Sequence, residues 1–366
     1  MMSAENFAKR VVEDIITHFS VNALSIGADL DLFKHIAETG ENGISPKELA
    51  IASECNERVI KEWLECCATN NYVNLTDNGN FYLPPGNAEV LLEKESPFYQ
   101  RPNLKFIPSF NRVYPKVVEA FKTGRGVPYE DYGEECVEAI RDADAIIYKH
   151  YFSSEMLPKL GLKETFENEG AVVCDVGCGA GLLGIIIARE FPKVKVVGID
   201  CDERSMAQAR EYLAKESESV RSRITLVEDF LENLEPQHFD LMTYFQSLHD
   251  IPDPHKILET SKKFLKPNTG MIALLESNVT DDFRDMCLKP GERVPNLDEN
   301  EVNAFARLSY GFSALHCLQC TMSQPHEYAA GTSITMKQIK EMCEAIGFEH
   351  VENVLSIDVY NLYKVY

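Results

Sequence analysis

Apolar positions recur at helical spacing through the first seventy residues. Phe7, Val11, Ile15 and Phe19 fall four residues apart and predict an amphipathic helix over 5–20. Leu24, Leu32 and Phe33 carry the helical style on from Ala23 to Ile36. In Ile44-Ser-Pro-Lys-Glu-Leu-Ala50, Ser45 is a natural N-cap, Pro46 a first-turn residue and Glu48 a capping-box partner. Asn56 caps the next helix, whose inner face is Val59, Ile60, Trp63, Leu64 and Cys67. The period then switches. Tyr72-Val-Asn-Leu and Phe81-Tyr-Leu flank Asp77-Asn-Gly-Asn, which predicts a short hairpin turning at Asn-Gly. Helix, helix, helix, hairpin is the layout of a winged helix.

Beyond residue 93 the pattern changes twice. Pro97, Pro102, Pro108 and Pro115 interrupt the first stretch, and Glu134 to Leu157 then reads as one long helix. Tyr148, Tyr151, Phe152 and Met156 lie on or near one face of it, either as packing between domains or as the wall of a ligand site. From Ala171 onward, short apolar runs alternate with helical stretches. Strands are expected over Ala171–Val176, Val194–Ile199, Ile224–Val227, Phe239–Phe245 and Met271–Glu276. Helices are expected over Glu203–Lys215, Asn300–Leu315 and Thr335–Ile346, the last with Gly347 as its C-cap. Phe348–Leu355 and Asp358–Val365 close the pattern as a hairpin. Near-continuous apolar strands between helices predict an α/β domain whose parallel sheet is covered on both faces. The chain divides into 1–95, a helical connector over 96–165, and an α/β domain over 166–366.

The stretch Ala171-Val-Val-Cys-Asp-Val-Gly-Cys-Gly-Ala-Gly181 carries the first chemistry. A buried strand runs into a turn with Gly177, Gly179 and Gly181 at alternate positions, then into a helix opened by Leu182 to Ala188. Glycines let backbone N–H groups approach a ligand, and the helix N-terminus faces the same place. The next strand ends at Asp200, placed to accept hydrogen bonds from ribose hydroxyls. The letters Gly179-Ala-Gly181-Leu-Leu-Gly184 also fit a dinucleotide-type GxGxxG. However, Asp175 stands two residues before the first glycine, and a carboxylate there suits an ammonium and a sulfonium better than a pyrophosphate. No hydride-transfer site accompanies the turn.

Composition narrows the partners. The net charge of −22 repels nucleic acid and anionic membrane surfaces. The helix that would enter a DNA groove offers Arg58 and Lys61 against Glu57, Glu62 and Glu65. No stretch approaches a membrane span, and the N-terminus shows no signal core, so the expected location is cytoplasmic. The eleven cysteines lack a disulfide framework and read as reduced thiols. Cys317-x-x-Cys320, with His316 and His326 near, is a metal-like cluster without a second CxxC, so it reads as core thiols and no metal is assigned.

The form acidic-x-Gly-x-Gly-x-Gly, mid-chain and followed by a closing hairpin, resembles the class I S-adenosylmethionine-dependent methyltransferases. With the winged-helix layout ahead of it, the chain resembles the plant-type and melatonin-type O-methyltransferases, and equally the winged-helix methyltransferases of bacteria and animals. The resemblance implies a Rossmann-like seven-stranded sheet, S-adenosyl-L-methionine as cofactor, a small-molecule acceptor and a homodimer formed with the winged helix. It further implies that Asp229 accepts from the adenine amino group with Phe230 against the ring. In this resemblance His249, within Leu248-His249-Asp250, is the general base. The sequence departs at Ile251-Pro252, where the family usually has an aromatic residue. Glu276 would orient His249, face the acceptor or simply end its strand as a carboxylate, and Phe305, Tyr310, Phe312 and His316 would line an acceptor pocket or simply pack. The rival from another class is a regulator that senses the cofactor without turnover, its winged helix contacting a protein or DNA.

Overall fold

The computed structural model describes residues 3–235, 237–287, 301–326, 328–357 and 359–366, with the backbone alone described at 301–305. The predicted helix start at Asn300, the strand start at Asp358 and the Phe305 side chain lie outside the described residues. The chain divides into two compact units. One runs up to Arg112 and includes Tyr132–Ile146; the other comprises Val113–Asp131 and Ile147–Tyr366.

In the first unit, Leu32–Ala37, Pro46–Ala52 and Glu57–Thr69 are helices, and β1 (Asn74–Leu75) pairs antiparallel with β2 (Phe81–Tyr82). Ser45 and Glu48 form the expected capping box, and Asn56 accepts from the Arg58 and Val59 N–H groups. Phe33, Ile36, Leu49, Ile60, Leu64 and Cys67 are buried in one core, where the Trp63 indole donates to the Ala23 carbonyl at 2.8 Å. Val59 is a correction: it is 66% exposed, because the buried stripe follows Ile60, Trp63, Leu64 and Cys67 and leaves Val59 off it. A second difference lies upstream. Ala4–Asp29 is one unbroken helix that stops where Asp31 turns left-handed at φ 53°. Its apolar residues Phe7, Val11, Val12, Ile15, Ile16 and Phe19 all face outward; burial begins only near Ser20 and Ala23.

The second unit is built on a seven-stranded sheet. Its strands are β3 (Val172–Val176), β4 (Lys195–Asp200), β5 (Ile224–Glu228), β6 (Leu241–Phe245), β7 (Met271–Ser277), β8 (Val351–Ile357) and β9 (Tyr360–Val365). They lie in the order β5-β4-β3-β6-β7-β9-β8. The first five are parallel, and β9 is antiparallel to both neighbours. Alternate residues feed two cores: Val173, Val196, Leu241 and Ala273 on one face, and Cys174, Val197, Met242 and Ile272 on the other. This accounts for the unbroken apolar runs in the sequence.

The expected helix Glu134–Leu157 is α-helical to Tyr151 and then widens into a π-helical turn, Phe152–Met156. Phe152 and Met156 are fully buried in the sheet core, so these two side chains pack rather than wall a ligand site. π-helical turns also form at Thr165–Glu169 and at Ser313–Cys317, the latter following the helix Glu301–Phe312. Among the described residues no helix is long and apolar enough to cross a membrane.

Candidate active site

The chain lays down β3, β4 and β5 in one direction, then returns to place β6 and β7 on the other side of β3. Ligands of open α/β sheets bind at such a reversal, outside the carboxyl ends of the strands. The registers Val176↔Ile199, Asp200↔Glu228 and Phe245↔Leu275 bring Gly177, Asp200, Asp229, Gln246 and Glu276 to that one edge.

The glycine turn has two distinct needs. Gly177 has φ 69°, and a Cβ there would stand 2.6 Å from the Ser247 Cβ. The turn after β3 therefore packs directly on the loop after β6, and the Ser247 hydroxyl clamps it by donating to the Val176 carbonyl at 2.7 Å. Gly179 has φ 52° and faces open space, with no atom within 4 Å of a notional Cβ. Its N–H donates to Asp200 Oδ2 at 2.8 Å, while the Asp202 N–H donates to Oδ1 at 2.9 Å. Two backbone donors thus hold the Asp200 carboxylate at the edge, with lone pairs to spare. Burial raises the Asp200 pKa, and those N–H groups pull the other way. Gly181 precedes the helix Leu182–Glu190 with no side-chain cap, so no capping side chain occupies the first N–H groups.

Asp175 is buried beneath this turn and accepts from the Thr243 hydroxyl at 2.7 Å. Burial, helped by the charge of Asp200, pushes its pKa up to about 7 against the pull of the Thr243 hydrogen bond. Asp229 is exposed. Its Oδ1 accepts from Asn233 Nδ2 and from the Phe230 N–H, both at 2.7 Å, capping the turn Leu231–Asn233. Those hydrogen bonds lower its pKa. The Phe230 ring, 58% exposed, stands beside it.

The other half of the edge is made of side chains. Leu248–Asp250 forms a single 3-10 turn that drives His249 inward until 2% of it is exposed. Its Nδ1 lies 2.6 Å from Oε2 of Glu276, which is fully buried at the end of β7. Glu276 thus orients His249, as one of the three expectations had it. Its Oε1 is buried with no hydrogen-bond partner. Burial works against the charged imidazole, but the Glu276 and Asp250 carboxylates outweigh it and hold the His249 pKa well above its ordinary value. His249 Nε2 stands 3.6 Å from Asp250 Oδ1. The Cys317 Sγ joins them, and the three atoms lie within 4.8 Å of one another.

His316 is buried next to Cys317, stacked edge-on against Tyr129 and tilted against Phe312, with centroids 5.7 and 5.2 Å away. Burial, then the nearby His249, lowers its pKa to about 3, so this second imidazole is neutral. The Cys317-x-x-Cys320 motif does not gather as a unit with both histidines. Cys320 is buried, whereas His326 is exposed, with its Nδ1 2.8 Å from the Gln324 carbonyl. Cys317 and Cys320 are buried thiols, as expected, and Cys317 also lies beside His249 and Asp250. Thr243 and Ser247 carried no sequence signal beyond their place on or after a strand.

Residues 167–311 match the model of a methyltransferase domain. The chain carries a methyltransferase domain. Residues 20–93, ahead of it, match the Rv2258c-like winged HTH domain. Over 102 residues the chain is 36% identical to the ubiquinone biosynthesis O-methyltransferase of Actinobacillus pleuropneumoniae serotype 5b (strain L20), covering 27% of this chain and 43% of that protein. The chain thus spans less than half the length of this curated relative. Human N-acetylserotonin methyltransferase, solved in complex with SAM, superposes over 100% of this chain and 99% of its own, at 19% identity and a TM-score of 0.71. An O-methyltransferase family protein from Burkholderia thailandensis covers 100% and 98%, at 18% identity and a TM-score of 0.68. At such identities these two establish the fold: a winged-helix region preceding a Rossmann-like methyltransferase sheet.

Proposed function

We propose that the chain is an S-adenosyl-L-methionine-dependent methyltransferase that acts on a small-molecule acceptor. The observation that carries this reading is the contact of Gly177 with Ser247. It joins an open, backbone-lined turn to a buried imidazole–carboxylate pair, so that a methyl donor and a proton acceptor would share one cleft. Gly177, Gly179 and Gly181 would approach the amino-acid part of the cofactor, and Asp175 its ammonium. Asp200 would take the ribose hydroxyls, and Asp229 with Phe230 the adenine. The reaction is an in-line displacement, so the protein aligns acceptor, methyl and sulfur. His249, held by Glu276, would receive the acceptor's proton.

The same reading takes the chain as a cytoplasmic homodimer that does not bind nucleic acid. The outward apolar face of Ala4–Asp29 supports a partner copy. None of the eleven cysteines is joined in a disulfide, which supports a reducing compartment. Arg58 and Lys61 are ion-paired to Glu62 and Glu65 on their own helix, leaving little for a phosphate.

Calorimetry with S-adenosylmethionine and S-adenosylhomocysteine tests the cofactor half, and labelled-methyl transfer over phenols, thiols and N-heterocycles tests the rest. Asp200→Ala should weaken both ligands roughly ten- to a hundredfold, as loss of charge-assisted hydrogen bonds requires. Binding of NAD but of neither ligand would overturn the assignment. Tight binding with no turnover on any acceptor would favour the cofactor-sensing regulator, which the winged HTH match keeps in view.

A further inference from the structure

We propose that Cys317 is a positioning residue for His249: its thiol holds the Asp250 carboxylate inward, against the imidazole. The three side chains come from two elements of one unit, the turn Leu248–Asp250 and the π-helical turn Ser313–Cys317. Cys317 Sγ, a His249 ring nitrogen and an Asp250 oxygen all lie within 4.8 Å of one another. Glu276 takes Nδ1 at 2.6 Å, so the nitrogen that meets this group is Nε2, 3.6 Å from Asp250 Oδ1. The Asp250 side chain is 43% exposed, yet Oδ1 is turned inward and buried. The ring attracts it by charge, but 3.6 Å is too long for a hydrogen bond that would fix its direction. The buried thiol alongside supplies a directional contact: sulfur accepts from a ring N–H, and its own S–H points toward the carboxylate.

The π-helical turn is what brings the sulfur there. Successive side chains of a regular helix point about 100° apart, yet His316 and Cys317 are both buried and meet, with Nδ1 3.5 Å from Sγ. The turn is pinned at both ends. The Thr332 N–H donates to Ser313 Oγ at 3.1 Å, and the Thr321 hydroxyl donates to the Cys317 carbonyl at 3.0 Å. The neutral His316, with its proton on Nδ1, donates to the sulfur and leaves the S–H to Asp250. Among the described residues, the titratable groups that face His249 are Glu276 from β7, Asp250 from its own turn, and Cys317 and His316 from the π-helical turn.

The thiol favours the charged form of both partners. Burial lowers the His249 pKa, and the Glu276 and Asp250 charges, with the Cys317 contact, carry it well above its ordinary value. Burial raises the Asp250 pKa, and the His249 charge and the Cys317 contact pull it back. Burial also raises the pKa of Cys317 itself, so the sulfur keeps the proton it donates. Without that thiol, Asp250 can turn to the water on its exposed side and leave the imidazole with Glu276 alone. A protonated ring cannot take an acceptor's proton, so the base works only above its own pKa. Cys317 therefore helps to set the pH at which turnover begins, a consequence that rests on the methyl-transfer reading. The sign is fixed: removing the thiol lowers the His249 pKa and moves the acidic limb of turnover down.

The test follows the His249 ring by NMR in the full-length chain, carbon-13-labelled at histidine, with His249→Ala assigning the signal. Cys317→Ala should lower the titration midpoint by at least about 0.3 pH unit. Cys317→Ser keeps a donor and an acceptor and should stay near the unaltered chain. Asp250→Asn should lower the midpoint too, and adding Cys317→Ala to it should change little, because both act through one contact. Should the alanine variant lose its thermal transition, Cys317→Val, closer to the thiol in volume, reads the same midpoint. An unmoved midpoint in the apolar variants, or a serine variant shifted as far as alanine, would overturn the proposal. With an acceptor from the labelled-methyl screen, Cys317→Ala at pH 6 should retain about twofold or more of its own maximal turnover compared with the unaltered chain. A loss of rate equal at every pH would make Cys317 a packing residue and sink the idea. A midpoint that shifts as expected while no acceptor is methylated defeats the methyl-transfer reading and leaves the contact.

Discussion

The two halves of the sheet edge are built from different material. Around Gly177–Gly181 the working groups are backbone N–H donors and edge carboxylates, arranged beside open space. Around His249 they are side chains drawn from β7, a 3-10 turn and a π-helical turn, and all but Asp250 are packed with almost no exposure. The first half can admit a ligand at little cost, because its polar groups are already satisfied or still in contact with water. The second holds buried ionisable groups whose desolvation is offset only while they stay paired. A cofactor shared by many reactions suits the first kind of construction. The particular acceptor chemistry belongs to the second.

If the halves are separable, single changes should affect one and spare the other. The largest effect should follow His249→Ala. Turnover of a hydroxyl acceptor should fall at least about a hundredfold, while cofactor affinity stays within about twofold. Loss of cofactor affinity in calorimetry would mean that the ring braces the Ser247 loop and that the halves are one structure.

Next comes Asp175. Its raised pKa means that the unliganded fold holds a proton there which the unfolded chain releases. The stability this contributes is complete below the ordinary carboxyl range and is lost as pH rises through about 7. A cationic ligand needs the ionised form, so its binding at pH 6 should expel a proton. Calorimetry in two buffers of different ionisation enthalpy should show that release, and Asp175→Asn should abolish it. The same variant should weaken cofactor binding about tenfold at pH 7.5 and hardly at all at pH 5.5. A pH-independent loss would point to packing against Thr243 instead.

The smallest effect should come from Phe230→Ala. Losing one exposed ring against adenine should cost about 0.5–1.5 kcal/mol of cofactor affinity and leave the thermal midpoint unmoved. A shift in acceptor KM with unchanged cofactor affinity would move Phe230 into the other half.

The glycine half was legible in the sequence because it is contiguous. Asp175 to Gly181 lie in one strand and turn, and Asp200 follows at the end of the next strand, so spacing alone placed them. His249 was legible as a loop residue after an apolar strand, and Glu276 as the end of another. Cys317 was legible as a core thiol, but its place beside His249 and Asp250 was not. Helical reading assumes about 3.6 residues per turn, and the π-helical turn Ser313–Cys317 takes in extra residues and re-aims everything after it. No periodicity in one sequence marks such a turn. The outward apolar face of Ala4–Asp29 was equally hidden: the spacing of Phe7, Val11, Ile15 and Phe19 gives a face, and not what it meets.

The place of β9 between β7 and β8 bears on how the molecule is made. All seven residues of β7 are buried in the finished sheet, and one flank is covered only when Tyr360–Val365 arrives, far later in the chain. Synthesis runs from the N-terminus, so on the ribosome β3 to β7 can pair while that flank of β7 stays bare. Met-Ile-Ala-Leu-Leu is an apolar run with an open hydrogen-bonding edge for that interval, the kind of segment that recruits other chains. Premature termination anywhere before β9 should therefore yield aggregates rather than a shortened soluble fold, and chaperone demand during expression should peak in that window.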